Sequence, residues 1–193
     1  MNYTIENEKA VYDGFLRVIK AQVIHDRFHD NQKINATREC LERGDSAAVL
    51  IYEKDTDQFI FTRQFRYPSA RREHPWMLEL VAGSIDKNEK PEACAKRETL
   101  EELGYQIKDL ERIASYFPSP GGCSEQIQLF YAQVRTHDRT NDASGNPAEK
   151  EDIELVKISR QEAYRMLMAQ EINNSISLIG LQWFFLNQKT ADR

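Results

Sequence analysis

The 193-residue chain is poor in cysteine, has no apolar run long enough for a membrane, and carries no excess of basic charge. Its three cysteines, Cys40, Cys94 and Cys123, form no Cys-x-x-Cys pair and no cluster with histidine, which argues against a disulfide framework and a structural zinc site and leaves reduced thiols. The longest uncharged stretch, Ile172 to Gln188, is interrupted by Asn, Ser and Gln and falls short of the roughly 20 predominantly apolar residues of a spanning helix. The opening residues, MNYTIENEKAVYDG, carry acidic side chains and no apolar core, unlike a secretory signal, so a cytoplasmic location is the expectation. Against 26 basic residues stand 31 acidic ones, a formal net charge of -5 that offers nucleic acid no general attraction. With 8 Gly and 6 Pro the chain shows no collagen-like period, and its 4 histidines show no ligand spacing. What is present is a globular composition, 40% hydrophobic and 30% charged, at a length that suits one domain with a short appendage.

Apolar runs flanked by turn residues place strands in pairs. Phe15 to Ile24 and Ile34 to Leu41 read as a hairpin around a polar segment. AAVLIY from Ala47 and the later FIFTRQF read as a second hairpin. Further strands are expected at Leu78 to Gly83, Ile113 to Phe117, Ile127 to Val134 and Ile153 to Ile158. Pro91 suits the first turn of a helix ending at Leu103, with Gly104 placed to stop it. Ser159 with Glu162 predicts a capping box ahead of a second helix, and Ser177 to Asn187 a third, buried one. Trp76 and Trp183 are read as packing residues. This mixture without a βαβ rhythm predicts an α+β or layered α/β/α domain. The polar stretch THDRTNDASGNPAEKED exceeds the roughly 12 to 15 residues usual for a structureless connection, so it is either disordered or functional.

The chemistry concentrates in GSIDKNEKPEACAKRETLEELGY, Gly83 to Tyr105. Helical offsets of three and four put Glu98, Glu101 and Glu102 on one face, with Ala93, Leu100 and Leu103 on the side to be buried. Arg97 can pair with Glu101 but cannot neutralise three carboxylates. Taken alone, such a run reads more often as a solvated acidic face; the alternative is a site for a hard divalent cation such as Mg²⁺, which carboxylates and substrate phosphates hold together.

The full spacing, Gly-x5-Glu-x7-Arg-Glu-x-x-Glu-Glu-x-Gly with Gly83, Glu89, Arg97, Glu98, Glu101, Glu102 and Gly104 in place, resembles the Nudix box. Only Thr99, where the box has an apolar residue, departs from it. The resemblance implies a Nudix hydrolase: an α/β/α sandwich with a mixed sheet, acting on a nucleoside diphosphate linked to another moiety with Mg²⁺ or Mn²⁺. It implies Glu98, Glu101 and Glu102 as metal ligands or their supports, Arg97 as the group that orients them, and Glu89 as the brace of loop and helix. The Ala82 carbonyl matches a further ligand.

Pro120, sixteen residues beyond Gly104, together with PWMLELVAG and SPGGCSE, resembles the ADP-ribose pyrophosphatase branch; GDP-mannose pyrophosphatases share much of the pattern. The branch resemblance implies Glu149 as general base and Glu151 as another metal ligand. It implies substrate contacts from Arg38, Glu39, Arg43, Arg66, Ser84, Ser119, Pro120, Gly121 and Glu125, with Glu125 at the adenine end; read from the residues alone, SPGG is a tight turn and the arginines are solvated. It divides the chain into an N-terminal antiparallel sheet, 1–43, and a hydrolase domain, 44–193. In a homodimer the sheet would carry Phe15, Leu16 and Arg38 toward the partner's site. The expectation is a Mg²⁺-dependent enzyme splitting ADP-ribose into AMP and ribose 5-phosphate. A GDP-mannose or broad nucleotide-sugar pyrophosphatase and a noncatalytic ADP-ribose sensor are the alternatives.

Overall fold

The computed structural model describes residues 1–143, 145 and 150–191, and it contains two compact units. The first comprises Met1–Asp45 and Phe117–Gln126. The second comprises Ser46–Tyr116 and the chain from Ile127 onward.

In the first unit β1 (Tyr3–Asp13), β2 (Arg17–Asp26) and β3 (Lys33–Glu42) form an antiparallel sheet in that order. The hairpin expected from sequence is β2 and β3. Strand β1 is an addition, and every one of its residues is exposed, so no buried face sets it apart. The segment Phe117–Gln126 is tied to the end of β3: the Leu41 amide donates to the Gly122 carbonyl at 2.8 Å, and the Ser124 amide donates to the Leu41 carbonyl at 3.1 Å.

The second unit is built on strands β4 (Ser46–Glu53), β5 (Gln58–Phe65), β6 (Trp76–Glu79), β7 (Val81–Ser84), β8 (Glu111–Tyr116), β9 (Ile127–Val134) and β10 (Glu154–Ser159). The main path is β10-β5-β4-β9-β8, with β4 and β9 parallel and the other pairs antiparallel. Strands β4 and β5 pair only over Ile51–Glu53 and Gln58–Ile60, then part. Into the opening go β6, against β5, and β7, against β4. The expected strand from Leu78 to Gly83 is thus two strands, broken at Leu80 because each half follows a different neighbour.

Alternation along β4 sends Ala47, Val49 and Ile51 to one face and Ala48 and Leu50 to the other, all buried. Helix α2 (Pro91–Leu103) covers the first face with Cys94, Ala95 and Leu103. Helices α3 (Arg160–Met168) and α4 (Ser175–Ala191) cover the second with Ala163, Leu181 and Phe184. This is the three-layer α/β/α architecture with a mixed sheet, joined in the chain to an N-terminal antiparallel sheet. A short helix α1, Tyr67–Ala70, was not foreseen.

Sequence features explain the helix ends. Pro91 opens α2, and Gly104 closes it in the left-handed conformation at φ 74°. At α3 the Ser159 hydroxyl accepts from the Glu162 amide at 3.1 Å, but the Glu162 carboxylate turns to Arg165 at 2.7 Å, so only half of the expected capping box forms. Trp183 packs beside Tyr131 as expected, whereas Trp76 is 62% exposed, set edge-on to Phe65 at 5.6 Å. At the end of β4 the fully buried Glu53 accepts from Lys157 Nζ at 2.8 Å through both oxygens, from the Tyr105 hydroxyl at 2.7 Å and from Thr56.

Candidate metal and phosphate site

The loop after β7 turns tightly before α2, with the Glu89 amide donating to the Asp86 carbonyl at 2.9 Å and the Asp86 amide to the Glu89 carboxylate at 3.1 Å. Arg97 reaches back from α2 and grips Glu89 with Nε and Nη2, each at 3.0 Å. This two-point bond, with the Asp86 amide, holds the Glu89 carboxyl down to about 2. The remaining donors of Arg97 go to Glu98 at 2.7 Å, to Glu101 at 3.3 Å and to the Ser84 carbonyl at 3.2 Å. One guanidinium therefore ties the loop to the acidic turn of the helix.

The helix meets the sheet differently from the expectation. Ala93 is exposed, and the buried side consists of Cys94, Ala95, Thr99, Glu102 and Leu103. Thr99 satisfies itself by donating to the Ala95 carbonyl at 2.8 Å. The acidic residues are therefore divided: Glu101 stands half-exposed beside Arg97, while Glu98 and Glu102, one turn apart, sink toward the sheet. Gly83 makes this possible, because a side chain there would collide with the Glu98 carboxyl group. Ala82, the residue before Gly83, is paired with Ala48 in β4.

The electrostatics of the sunken pair are severe. Burial raises the Glu98 carboxyl, against the pull of Arg97, with Glu101 and Glu151 adding to the rise. Burial, reinforced by the charges of Glu98 and Glu151, pushes Glu102 up to about 9, with Arg66 opposing and Glu79 adding. Glu102 is 3% exposed, and among the described residues its Oε2 has no hydrogen-bond partner. A buried oxygen without a partner costs about 1–3 kcal/mol, and more when charged, unless something else satisfies it. A hard divalent cation fits: the donors are carboxylate and carbonyl oxygens, and the field of Glu98, Glu102 and Glu151 is negative. Among the described residues no three acidic, histidine or cysteine side chains stand close enough to cage an ion as they are, and Glu98 gives an oxygen to Arg97.

The other residues singled out from sequence fall as follows. Arg66, just past β5, donates through Nε to Glu79 at 2.8 Å. Ser84 contributes its carbonyl to Arg97 and to Cys94, while its side chain is exposed. Phe15, Leu16, Arg38, Glu39, Arg43, Ser119, Pro120, Gly121 and Glu125 all belong to the first unit. There Phe15 is fully exposed, Leu16 is 38% exposed, Arg38 donates to the Thr37 carbonyl at 3.1 Å, and Glu39 pairs with Lys20 at 3.1 Å. Arg43 pairs with the buried Glu125 at 3.6 Å, and Ser119 to Gly122 form a tight turn with Pro120 and Gly121 outward. Glu149 lies outside the described residues.

The long polar stretch is not free at its start. Thr136–Asp138 form a single 3-10 turn, the Thr140 amide donates to the Gly104 carbonyl at 2.8 Å, and Arg139 Nε to the Leu103 carbonyl at 3.2 Å. These bonds satisfy carbonyls that the end of α2 leaves open. Sequence reasoning missed Glu79. A single carboxylate inside the apolar run MLELV was the available signal, because such a group calls for a counter-charge.

A strand, a turn braced by arginine and a helix that sinks carboxylates around a side-chain-free glycine define a class: enzymes that handle phosphate with a hard cation. The chain belongs to the NUDIX family, whose domain model matches residues 42–175, and it is a hydrolase of the kind that generally uses divalent metal ions. It is 38% identical over 188 residues to the ADP-ribose pyrophosphatase of Haemophilus influenzae, covering 95% of this chain and 86% of that one. To the ADP-ribose pyrophosphatase of Escherichia coli K12 it is 33% identical, covering 94% and 87%. To the GDP-mannose pyrophosphatase of Citrobacter koseri it is 30% identical, covering 93% of each. A crystal structure described as an ADP compounds hydrolase superposes with a TM-score of 0.76 at 19% identity, over 100% of this chain and 97% of that one, which shows the shared fold.

Proposed function

We propose that the protein hydrolyses the diphosphate of ADP-ribose, giving AMP and ribose 5-phosphate, with Mg²⁺ as the ion and Mn²⁺ as a substitute. The chemistry is supported by the buried Glu102 oxygen, which has no partner among the described residues, one turn from the Glu98 carboxylate that lies against Gly83. The substrate is supported by the likeness to proteins named ADP-ribose pyrophosphatase along 95% of the chain. Glu98, Glu101, Glu102, Glu151 and the Ala82 carbonyl would hold the ion, which when bound polarises phosphorus and lowers the pKa of water. Arg97 keeps Glu98 and Glu101 oriented through its brace on Glu89. Glu149 accepts the proton of the attacking water as its oxygen bonds to phosphorus and the bridging P–O bond breaks, leaving two monophosphates. Arg66 contacts the diphosphate; Arg38, Glu39, Arg43, Ser84, Ser119, Pro120, Gly121 and Glu125 complete the substrate contacts.

A homodimer assembled through the N-terminal sheet, with Phe15 and Leu16 serving the partner's site, is part of the proposal. It is supported by the absence of any fully buried residue in β1, β2 and β3 and by exposed Tyr3, Ile5, Tyr12 and Phe15. Three free cysteines and the lack, among the described residues, of a helix long and apolar enough to cross a membrane support action in the cytoplasm.

The test is product chromatography with Mg²⁺ and, separately, ADP-ribose, GDP-mannose, diadenosine polyphosphates, NADH and nucleoside triphosphates. AMP released from ADP-ribose well ahead of every other product is the expected outcome. Preference for GDP-mannose would transfer the mechanism to that substrate, and binding without turnover would leave a sensor.

A further inference from the structure

Arg66 and Glu79 are an unusual pair for two neighbours in a sheet. In the β5–β6 register Glu79 lies opposite Thr62, and the Arg66 amide donates to the Pro75 carbonyl at 2.8 Å, which extends the ladder past Phe65–Trp76. Thr62, Gln64 and Arg66 alternate onto one side, so the two ion-pair partners start four positions apart along the strands, about 13 Å at the rise of an extended chain. A free arginine at a strand end extends into solvent. Here the side chain runs back along the sheet to meet a carboxylate that is itself only 18% exposed. The direction matters, because both partners act electrostatically on the buried Glu102.

The geometry of the bond matters as well. Glu79 takes Arg66 by Nε alone, at 2.8 Å, and among the described residues neither terminal nitrogen of Arg66 has another partner. The free edge is the planar two-nitrogen fork that matches a phosphate. The Arg66 backbone is fixed too, since its carbonyl accepts from the Ala70 amide at 2.9 Å and from the Ser69 hydroxyl at 3.0 Å. The Glu79 backbone is fixed by Thr62, whose hydroxyl donates to its carbonyl at 3.2 Å.

We propose that Glu79 is a positioning residue: it turns Arg66 back over the sheet and presents the free edge of its guanidinium to a phosphate of the substrate. The inference rests on the reading of Arg66 as a diphosphate contact. Glu79 touches no reacting atom. It removes the rotamer freedom that Arg66 would otherwise lose on each binding event, so its effect belongs in KM rather than kcat.

The experiment is a double-mutant cycle of Arg66→Ala and Glu79→Ala, with Glu79→Gln as the conservative variant. It is run by steady-state kinetics on whichever nucleoside diphosphate sugar is turned over, with thermal unfolding and the Mg²⁺ activation midpoint measured for each. Arg66→Ala should raise KM about 10- to 100-fold. Glu79→Ala should raise KM about tenfold with kcat changed less than about threefold, and Glu79→Gln, which keeps an acceptor for Nε, should do less. In the Arg66→Ala background Glu79→Ala should add less than about twofold. Full additivity overturns the positioning role, as does a Glu79→Ala protein with unchanged KM. A shift in the Mg²⁺ midpoint that persists in the Arg66→Ala background overturns it by making Glu79 a ligand of the ion. If Arg66→Ala itself leaves KM unchanged, the phosphate contact falls and the positioning role with it. Should Glu79→Ala fail to fold, the Gln variant and its cycle decide.

Discussion

Glu53 and Glu102 are the same residue type, both buried on the α2 side of the same sheet, and they are provisioned in opposite ways. Glu53 is fully enclosed, yet Lys157, Tyr105 and Thr56 meet its oxygens, and although burial pushes its carboxyl up, those bonds and the Lys157 charge carry it below the ordinary range. Glu102 is nearly as enclosed, receives no bond at Oε2 from any described residue, and is pushed up to about 9. The first arrangement completes itself within the chain. The second leaves one oxygen unmet by the described residues, and in the proposed function the ion meets it. That difference separates a carboxylate that holds the fold from one held by it, and it shows why burial alone identifies neither.

The comparison can be broken or sharpened by substitution. Glu53→Gln should have the largest effect, a loss of about 3–5 kcal/mol in urea unfolding, because Lys157 is left without a counter-charge and the amide brings donors toward those of Lys157, Tyr105 and Thr56. The folded fraction should keep its specific activity. Glu102→Gln should invert that result: turnover falls about 10²- to 10³-fold, the scale of removing one electrostatic stabiliser from a phosphoryl site, while metal-free thermal stability is unchanged or higher. Equal losses of stability in the two variants would end the distinction.

A smaller and more diagnostic effect is expected from pH. Because the folded-state value of Glu102 lies above the unfolded one, the native protein binds more protons between about 4.5 and about 9. Stability of the metal-free protein should therefore fall as pH rises through that window, and Mg²⁺ should flatten the slope. Glu53 has the opposite sign: its contribution is present above the unfolded value and is lost as acid takes the pH down through its lowered folded value. Thermal unfolding from about pH 2 to 9 with and without Mg²⁺ reads both, and a slope indifferent to the ion between about 4.5 and about 9 would count against Glu102 as its ligand. The smallest effect is assigned to Tyr105→Phe, which removes one of several donors to Glu53 and should cost about 1 kcal/mol.

How far the sequence showed this depends on what each residue is packed against. Helix α2 was legible end to end, because Pro91 and Gly104 act locally on the backbone. Its orientation was not. Ala93 reads as an inward residue on a helical wheel, but which side turns inward is decided by Gly83, whose missing side chain lets Glu98 settle against β7. Strand β1 was illegible because nothing in it is buried, and the break at Leu80 because an apolar run looks the same whether it follows one neighbour or two. The box residues could be found by their spacing. Glu79 showed only as a carboxylate in an apolar run, and neither its partner nor that of Glu53 could be named, since Arg66 and Lys157 lie 13 and 104 residues away.

The parted strands β4 and β5 also have a bearing on how this chain can vary over generations. One short piece, Trp76 to Ser84, stitches both edges of the opening, and it carries Glu79 in its first strand and Gly83 in its second. Exchange of one apolar side chain for another at Leu80 leaves both ends where they are. Gain or loss of a single codon there does not, because each step along an extended chain reverses the side on which a residue emerges. The stretch is open to drift in spelling and closed to drift in length.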